Sequence, residues 1–173
     1  MTGGDEAVTA DASDPPLRAV VVTVSDRSAR GVRADAAGPV AVAALRGHGF
    51  ACADPVVVPD GADSVEAALR RALAEGARLV VTTGGTGIAP RDQTPEGTAR
   101  VLEREVPGIA EELRRLGAAD KPAGMLSRGR AGVAGGALVV NLPGAPAAVA
   151  SGMPLVLSVA RHVIDQLSGG DHP

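Results

Sequence analysis

The 173-residue sequence has no tryptophan, no tyrosine, one phenylalanine (Phe50) and one cysteine (Cys52). Each scarcity excludes something. Single-strand nucleic-acid binders stack bases on aromatic side chains, and a lone phenylalanine cannot build such a platform. A nucleotide bound here would rest its base on backbone and aliphatic surface. One thiol rules out an intrachain disulfide and any metal site made from several cysteines. Within "FACADPVVV" it reads as a small hydrophobe of a strand. Charge of one sign is also missing: 17 basic and 20 acidic residues leave a net charge of −3, with no overall attraction to nucleic acid or anionic lipid. No apolar run approaches the roughly 20 residues that span a bilayer. The opening "MTGGDEAVTADASDPP" is acidic and polar, without the apolar centre of a secretion signal. A cytoplasmic protein with no nucleic-acid or membrane partner is the expectation.

What is present is an alternation. Residues 1–16 read as a disordered tail and 17–170 as a single domain. "RAVVVTVS" (18–25), "ARLVVTT" (77–83) and "GALVVNLPG" (136–144) are nearly unbroken apolar runs, the pattern of strands buried on both faces. "ACADPVVVPD" (51–60) holds a further strand that Pro55 relegates to an edge or a bulge. Helical patterns fall between. Residues 63–76 have Asp63 and Glu66 at capping-box spacing, 94–105 start with Thr94 as N-cap and Pro95 at the first helical position, and 108–117 and 152–170 follow. Residues 35–47 make a weaker helix interrupted at Gly38-Pro39. Buried strands alternating with helices predict an α/β fold, a mostly parallel sheet covered on both faces.

Ligands on such sheets bind at the carboxyl ends of the strands. Four segments share that rim: Ser25-Asp26-Arg27, Pro59-Asp60, Thr83 to Glu96, and Asn141-Leu142-Pro143-Gly144. Gly84, Gly85 and Gly87 permit positive φ and close approach of a ligand to the main chain. Their N–H groups either form an anion-binding nest or simply make a tight turn. No Gly-Lys-Ser/Thr follows, so this is no Walker A loop, and Pro90 stands where a dinucleotide fingerprint needs a small residue.

Arg91 suits bidentate phosphate contact, while the adjacent Asp92 would repel the same ligand unless a divalent cation lies between them. Asp60 and Asp26 are further rim carboxylates. Arg27, Arg30 and Arg33 make either a cationic flap or a solvated loop, and Ser127 and Arg128 a second phosphate clamp or a polar turn. Asn141 either reads a ligand edge or bonds its own turn. His48, His162 and His172 lie outside the rim, and no Ser or Cys pairs there with a His, which disfavours acyl transfer.

Taken in order, "TVSDR…G…D..GP" (23–39), "VPD" (58–60), "TTGGTG…RD.TPE" (82–96), "VPG" (106–108), "LSR" (126–128) and "NLPG.P" (141–146) resemble the molybdopterin-binding Mog/MoaB family across residues 18–168. The resemblance implies a three-layer sandwich, a homotrimeric assembly and a place in molybdenum cofactor biosynthesis. It further implies Mg²⁺-dependent transfer of AMP from ATP to the molybdopterin phosphate, with a non-catalytic MoaB-type carrier as the alternative and a molybdenum insertase as a candidate partner. By position, Asp60 and Asp92 would be the functional carboxylates and metal ligands. Ser25, Asp26, Gly84, Gly85, Thr86, Gly87, Arg91, Thr94, Pro95 and Glu96 would contact substrate or nucleotide. Ser127 and Arg128 would hold the molybdopterin end, and Asn141, Leu142, Pro143 and Gly144 would line the pocket. Gln93 resembles the MoaB branch, whereas Arg91, Thr94 and "NLPGAP" resemble the adenylyltransferase branch.

Overall fold

The computed structural model describes residues 15–170, so the tail expected over 1–16 falls, through residue 14, outside the described residues, as does His172. β1 (Arg18–Val24), β4 (Leu79–Thr83) and β7 (Ala137–Leu142) are the parallel centre of a seven-stranded sheet. Val20 lies opposite Val80, and Val80 opposite Val139. On one side β1 also pairs in parallel with two short strands, β2 (Ala51–Cys52) and β3 (Val56–Val58). On the other, β6 (Ala131–Ala134) runs antiparallel to β7 and to β5 (Arg104–Glu105).

Strand side chains alternate between faces, and here both faces are apolar. Ala19, Val21, Leu79, Val81, Leu138 and Val140 pack against α2 (Gly38–Gly47), α5 (Pro107–Asp120) and α6 (Pro146–Leu167). Val22, Val24, Val80 and Val139 pack against Val65, Leu69 and Ala72 of α3 (Ala62–Ala74) and against Val101, just beyond α4 (Thr94–Ala99). Helices on both faces of a mostly parallel sheet make the expected three layers. Each buried Val or Leu contributes about 1.5–3 kcal/mol relative to exposure.

Several local expectations are corrected. The strand over 51–60 is two strands, because Pro55 withholds a ladder donor, and both sit at the edge as anticipated. Gly38-Pro39 begins α2 instead of interrupting it, with Pro39 in the first turn. No capping box forms on α3: Gly61 is its N-cap, while Asp63 and Glu66 both pair with Arg100. The helix over 94–105 stops at Ala99 and gives way to β5. β6 occupies the glycine-rich stretch after Arg128 that carried no strand signal. α6 starts at Pro146, six residues earlier than expected, and is long and apolar enough by length and composition to cross a membrane. Its stripe Val149, Met153, Val156, Ala160 and Ile164 is buried against the sheet, so the same apolarity serves as core.

Candidate active site

Register places the four rim segments together. Thr23 lies opposite Thr83, Thr83 opposite Leu142, and Val24 opposite Val58. Parallel strands in that alignment end at one edge, where Ser25, Pro59, Gly84 and Pro143 follow. A cleft of about 460 Å³ opens there, lined by Ser25, Asp60, Gly84, Gly85 and Gly144 and reached by Arg33.

Gly84 and Gly85 have φ of +94° and +65°, left-handed conformations that glycine adopts without strain. A Cβ on Gly84 would collide with the carbonyl oxygen of Val24, and one on Gly85 with the Thr94 hydroxyl. Thr94 braces this turn from below: its hydroxyl donates to Gly84 O at 2.9 Å and its N–H to Gly85 O at 3.0 Å. That is why Thr94 is fully buried within α4 and Gln93 takes the N-cap position instead. Pro95, in the same first turn, is buried beside it. Gly84 N–H donates to Leu142 O, whereas the N–H groups of Gly85, Thr86 and Gly87 donate to no acceptor among the described residues. Of these three, Gly85 lines the cleft, and a free backbone N–H at a glycine turn is a donor of the kind that anion-binding nests use.

The carboxylates differ in freedom. Asp26 and Asp60 are joined reciprocally, Asp26 N–H to Asp60 Oδ2 at 2.9 Å and Asp60 N–H to Asp26 Oδ1 at 3.1 Å. Arg91 closes on Asp26 with Nε–Oδ2 at 2.5 Å and Nη2–Oδ1 at 3.0 Å, and donates to Asp60 O at 3.2 Å. The Arg91 hydrogen bond holds the Asp26 carboxyl below its usual range, against the opposing effect of desolvation. Asp60 Oδ1 has no hydrogen-bond partner among the described residues and lies 3.4 Å from where a Gly85 Cβ would stand. Asp92 Oδ2 accepts Ala89 N–H at 3.0 Å and lies 2.7 Å from where a Gly87 Cβ would stand. Asp60 and Asp92 therefore both border the glycine loop.

Other expected site residues have structural partners. Arg91 is engaged by Asp26 instead of standing open for phosphate. Glu96 pairs with Arg128, whose hydrogen bond lowers the glutamate's pKa. Asn141 lines the pocket between α5 and α6, while its Nδ2 donates to Thr82 and Thr98 hydroxyls at 2.9 Å each and its Oδ1 accepts Arg130 N–H at 3.0 Å. Leu142 is fully buried, and Gly144 touches Gly84. Ser25 caps a short helix, α1 (Asp26–Ala29), so the arginine flap begins as a helical turn.

Ser127 and Pro143 line a second, mainly apolar pocket of about 240 Å³ between α5 and α6, and Ala145 borders both cavities. Asp35 is a residue that sequence reasoning left without a role. It accepts the Thr23 hydroxyl at 2.6 Å and the N–H groups of Ala37 and Gly38, shaping one wall of the cleft. Its position three residues before Gly38-Pro39 was the available signal. Away from the rim, burial pushes the Cys52 thiol pKa up, which opposes thiolate chemistry.

The family model described as a probable molybdopterin binding domain matches residues 20–162. A molybdenum cofactor biosynthesis bifunctional protein of Synechococcus elongatus is 38% identical over 154 residues, 89% of this chain and 48% of that protein. The chain thus spans about half the length of that relative. A molybdopterin adenylyltransferase of Haemophilus influenzae is 38% identical over 139 residues, 77% of this chain and 69% of its own. Among solved structures, the Mog protein of Mycobacterium ulcerans superposes with a TM-score of 0.83 at 42% identity, covering 87% of this chain and 99% of that one. The MoaB of Thermus thermophilus does so with a TM-score of 0.81 at 42% identity, covering 88% and 97%.

Proposed function

The chain belongs to the molybdopterin-binding domain family of molybdenum cofactor biosynthesis, and from that membership we propose that it transfers AMP from ATP to the terminal phosphate of molybdopterin, releasing pyrophosphate. The observation that carries this reading is the pair of carboxylates, Asp60 and Asp92, bordering a loop whose Gly85, Thr86 and Gly87 N–H groups have no acceptor among the described residues. Relatives that bear the name molybdopterin adenylyltransferase support it.

The residues fit Mg²⁺. That ion takes one or two carboxylates and completes its shell with water and substrate phosphate oxygens, and Asp60 offers an Oδ1 that has no partner among the described residues. Asp60 and Asp92 would hold the ion, and when bound it would supply neutralisation of charge on the phosphate oxygens.

The chain's own groups do the rest. Two polyanions must meet in line, so catalysis is positioning and charge stabilisation, with no side-chain nucleophile. The glycine-loop N–H groups bind an anionic ligand group. Arg33, whose guanidinium pairs with no carboxylate among the described residues, offsets charge on the departing pyrophosphate at the cleft edge. Ser127 and Pro143 frame the apolar pocket for the pterin. The pterin phosphate attacks the α-phosphorus while the bond to pyrophosphate breaks.

Incubating the full chain with molybdopterin, ATP and Mg²⁺ yields adenylylated pterin by mass spectrometry on this reading. Asp60→Ala and Asp92→Ala each lower the rate about 10²-fold or more while ligand binding by calorimetry persists. Wild-type turnover in both variants would refute the metal assignment. Retention of molybdopterin with no product and no ATP binding would replace the enzyme with a carrier.

A further inference from the structure

We infer that Arg128 is a positioning residue that sets the glycine loop and Asp92, and is not a ligand for the pterin; the inference rests on the adenylyl-transfer reading. All three guanidinium nitrogens are engaged by protein. Nε donates to Gly87 O at 2.8 Å, Nη2 to Asp92 O at 2.5 Å, and Nη1 to the Glu96 carboxylate. The Arg128 N–H adds a bond to Thr86 O at 2.8 Å. One residue thus closes both ends of the 86–92 segment and ties them to the first turn of α4. On the opposite side Arg91 grips Asp26 and Asp60 O, so Asp92 sits between two arginine anchors.

The chemistry explains the residue type. A planar fork with five N–H donors can satisfy two carbonyls and a carboxylate at once, which a lysine ammonium on a flexible stem cannot do with fixed geometry. The loop needs this restraint because Gly84, Gly85 and Gly87 give it a wide conformational range. A carboxylate displaced by about 1 Å from its reacting geometry costs up to about 10²-fold in rate. Arg128 also lies between Ser127 and Gly129, both of which line the apolar pocket. Ser127 Oγ accepts Gly129 N–H at 3.3 Å and holds that turn. The backbone of one connector therefore faces the pterin pocket while its arginine holds the catalytic loop.

Arg128→Ala, Arg128→Lys and Glu96→Gln in the full chain test this. Hydrogen exchange of the ligand-free proteins, read by mass spectrometry over residues 84–93, rises about tenfold in Arg128→Ala and less in the other two, with the central strands unchanged. In the transfer assay kcat falls about 10–100-fold, KM for molybdopterin stays within about twofold, and the Mg²⁺ concentration for half-maximal rate rises. Lysine at position 128 fails to restore kcat despite keeping the charge. Unchanged loop exchange in all three variants would overturn the inference. So would a tenfold rise in KM for molybdopterin at wild-type kcat, which is the signature of a substrate clamp. If the wild-type chain forms no adenylylated pterin, the functional reading falls alone, and the exchange measurement still decides the role of Arg128.

Discussion

Asp26 illustrates how much of the site is decided by single residues acting on distant ones. Its carboxylate accepts Arg91, 65 residues away, and is tied to Asp60 by reciprocal bonds in which each residue's N–H donates to the other's carboxylate. Since its folded-state pKa lies below the ordinary aspartate value, the ion pair stabilises the protein above about pH 4 and that contribution is lost as the pH falls through the folded value. Urea unfolding across pH should therefore find Asp26→Asn less stable than wild type at neutral pH, with the gap closing in acid. A gap constant down to pH 2 would contradict the pairing. Asp60 and Asp92 were legible as rim residues because Asp60 follows β3 directly after Pro59 and Asp92 lies in the Gly- and Pro-marked loop between β4 and α4. The engagements of Asn141 and Arg128 were not, because their partners lie 59 and 43 residues away for Asn141 and 41 for the Gly87 bond of Arg128. Local spacing carries no information on such pairs.

The α3–α4 contact shows the same division between elements. Gly97 reads as an ordinary weak spot in a helix, yet a Cβ there would stand 2.5 Å from Ala62 O and 2.8 Å from Val65 Cβ. Gly97→Ala should therefore destabilise by about 1–3 kcal/mol and lower the thermal midpoint by about 3–10 °C, since α3 backbone, and not a flexible side chain, must yield. An unchanged midpoint in scanning calorimetry would show that the two helices separate freely. Central strands announce themselves as continuous β-branched runs, but β5 and β6 do not. β6 is "AGVA", and its Gly132 is required because a Cβ would strike the Arg104 carbonyl on β5. Small residues there answer to a neighbouring strand, so their own periodicity is silent.

At the scale of the whole molecule, the sheet order β2-β1-β4-β7-β6-β5 puts the three long apolar runs side by side at the centre. Edge strand β3 leaves Val56 and Val57 45% and 38% exposed, apolar surface available to another copy. We propose that the chain assembles as the homotrimer its family resemblance implies. Light scattering on the purified protein should give about three times the 17.1 kDa chain mass, and a monomer at micromolar concentration would remove the proposal. The sequence by itself determined the layer architecture and the rim, because burial on two faces demands continuous apolar strands and a ligand at a strand end demands turn-forming residues in the next few positions. Only the tertiary structure decided which rim groups remain available to a ligand. Charges and amides there are shared out by close approach in space, and that approach brings together residues that no spacing along the chain connects.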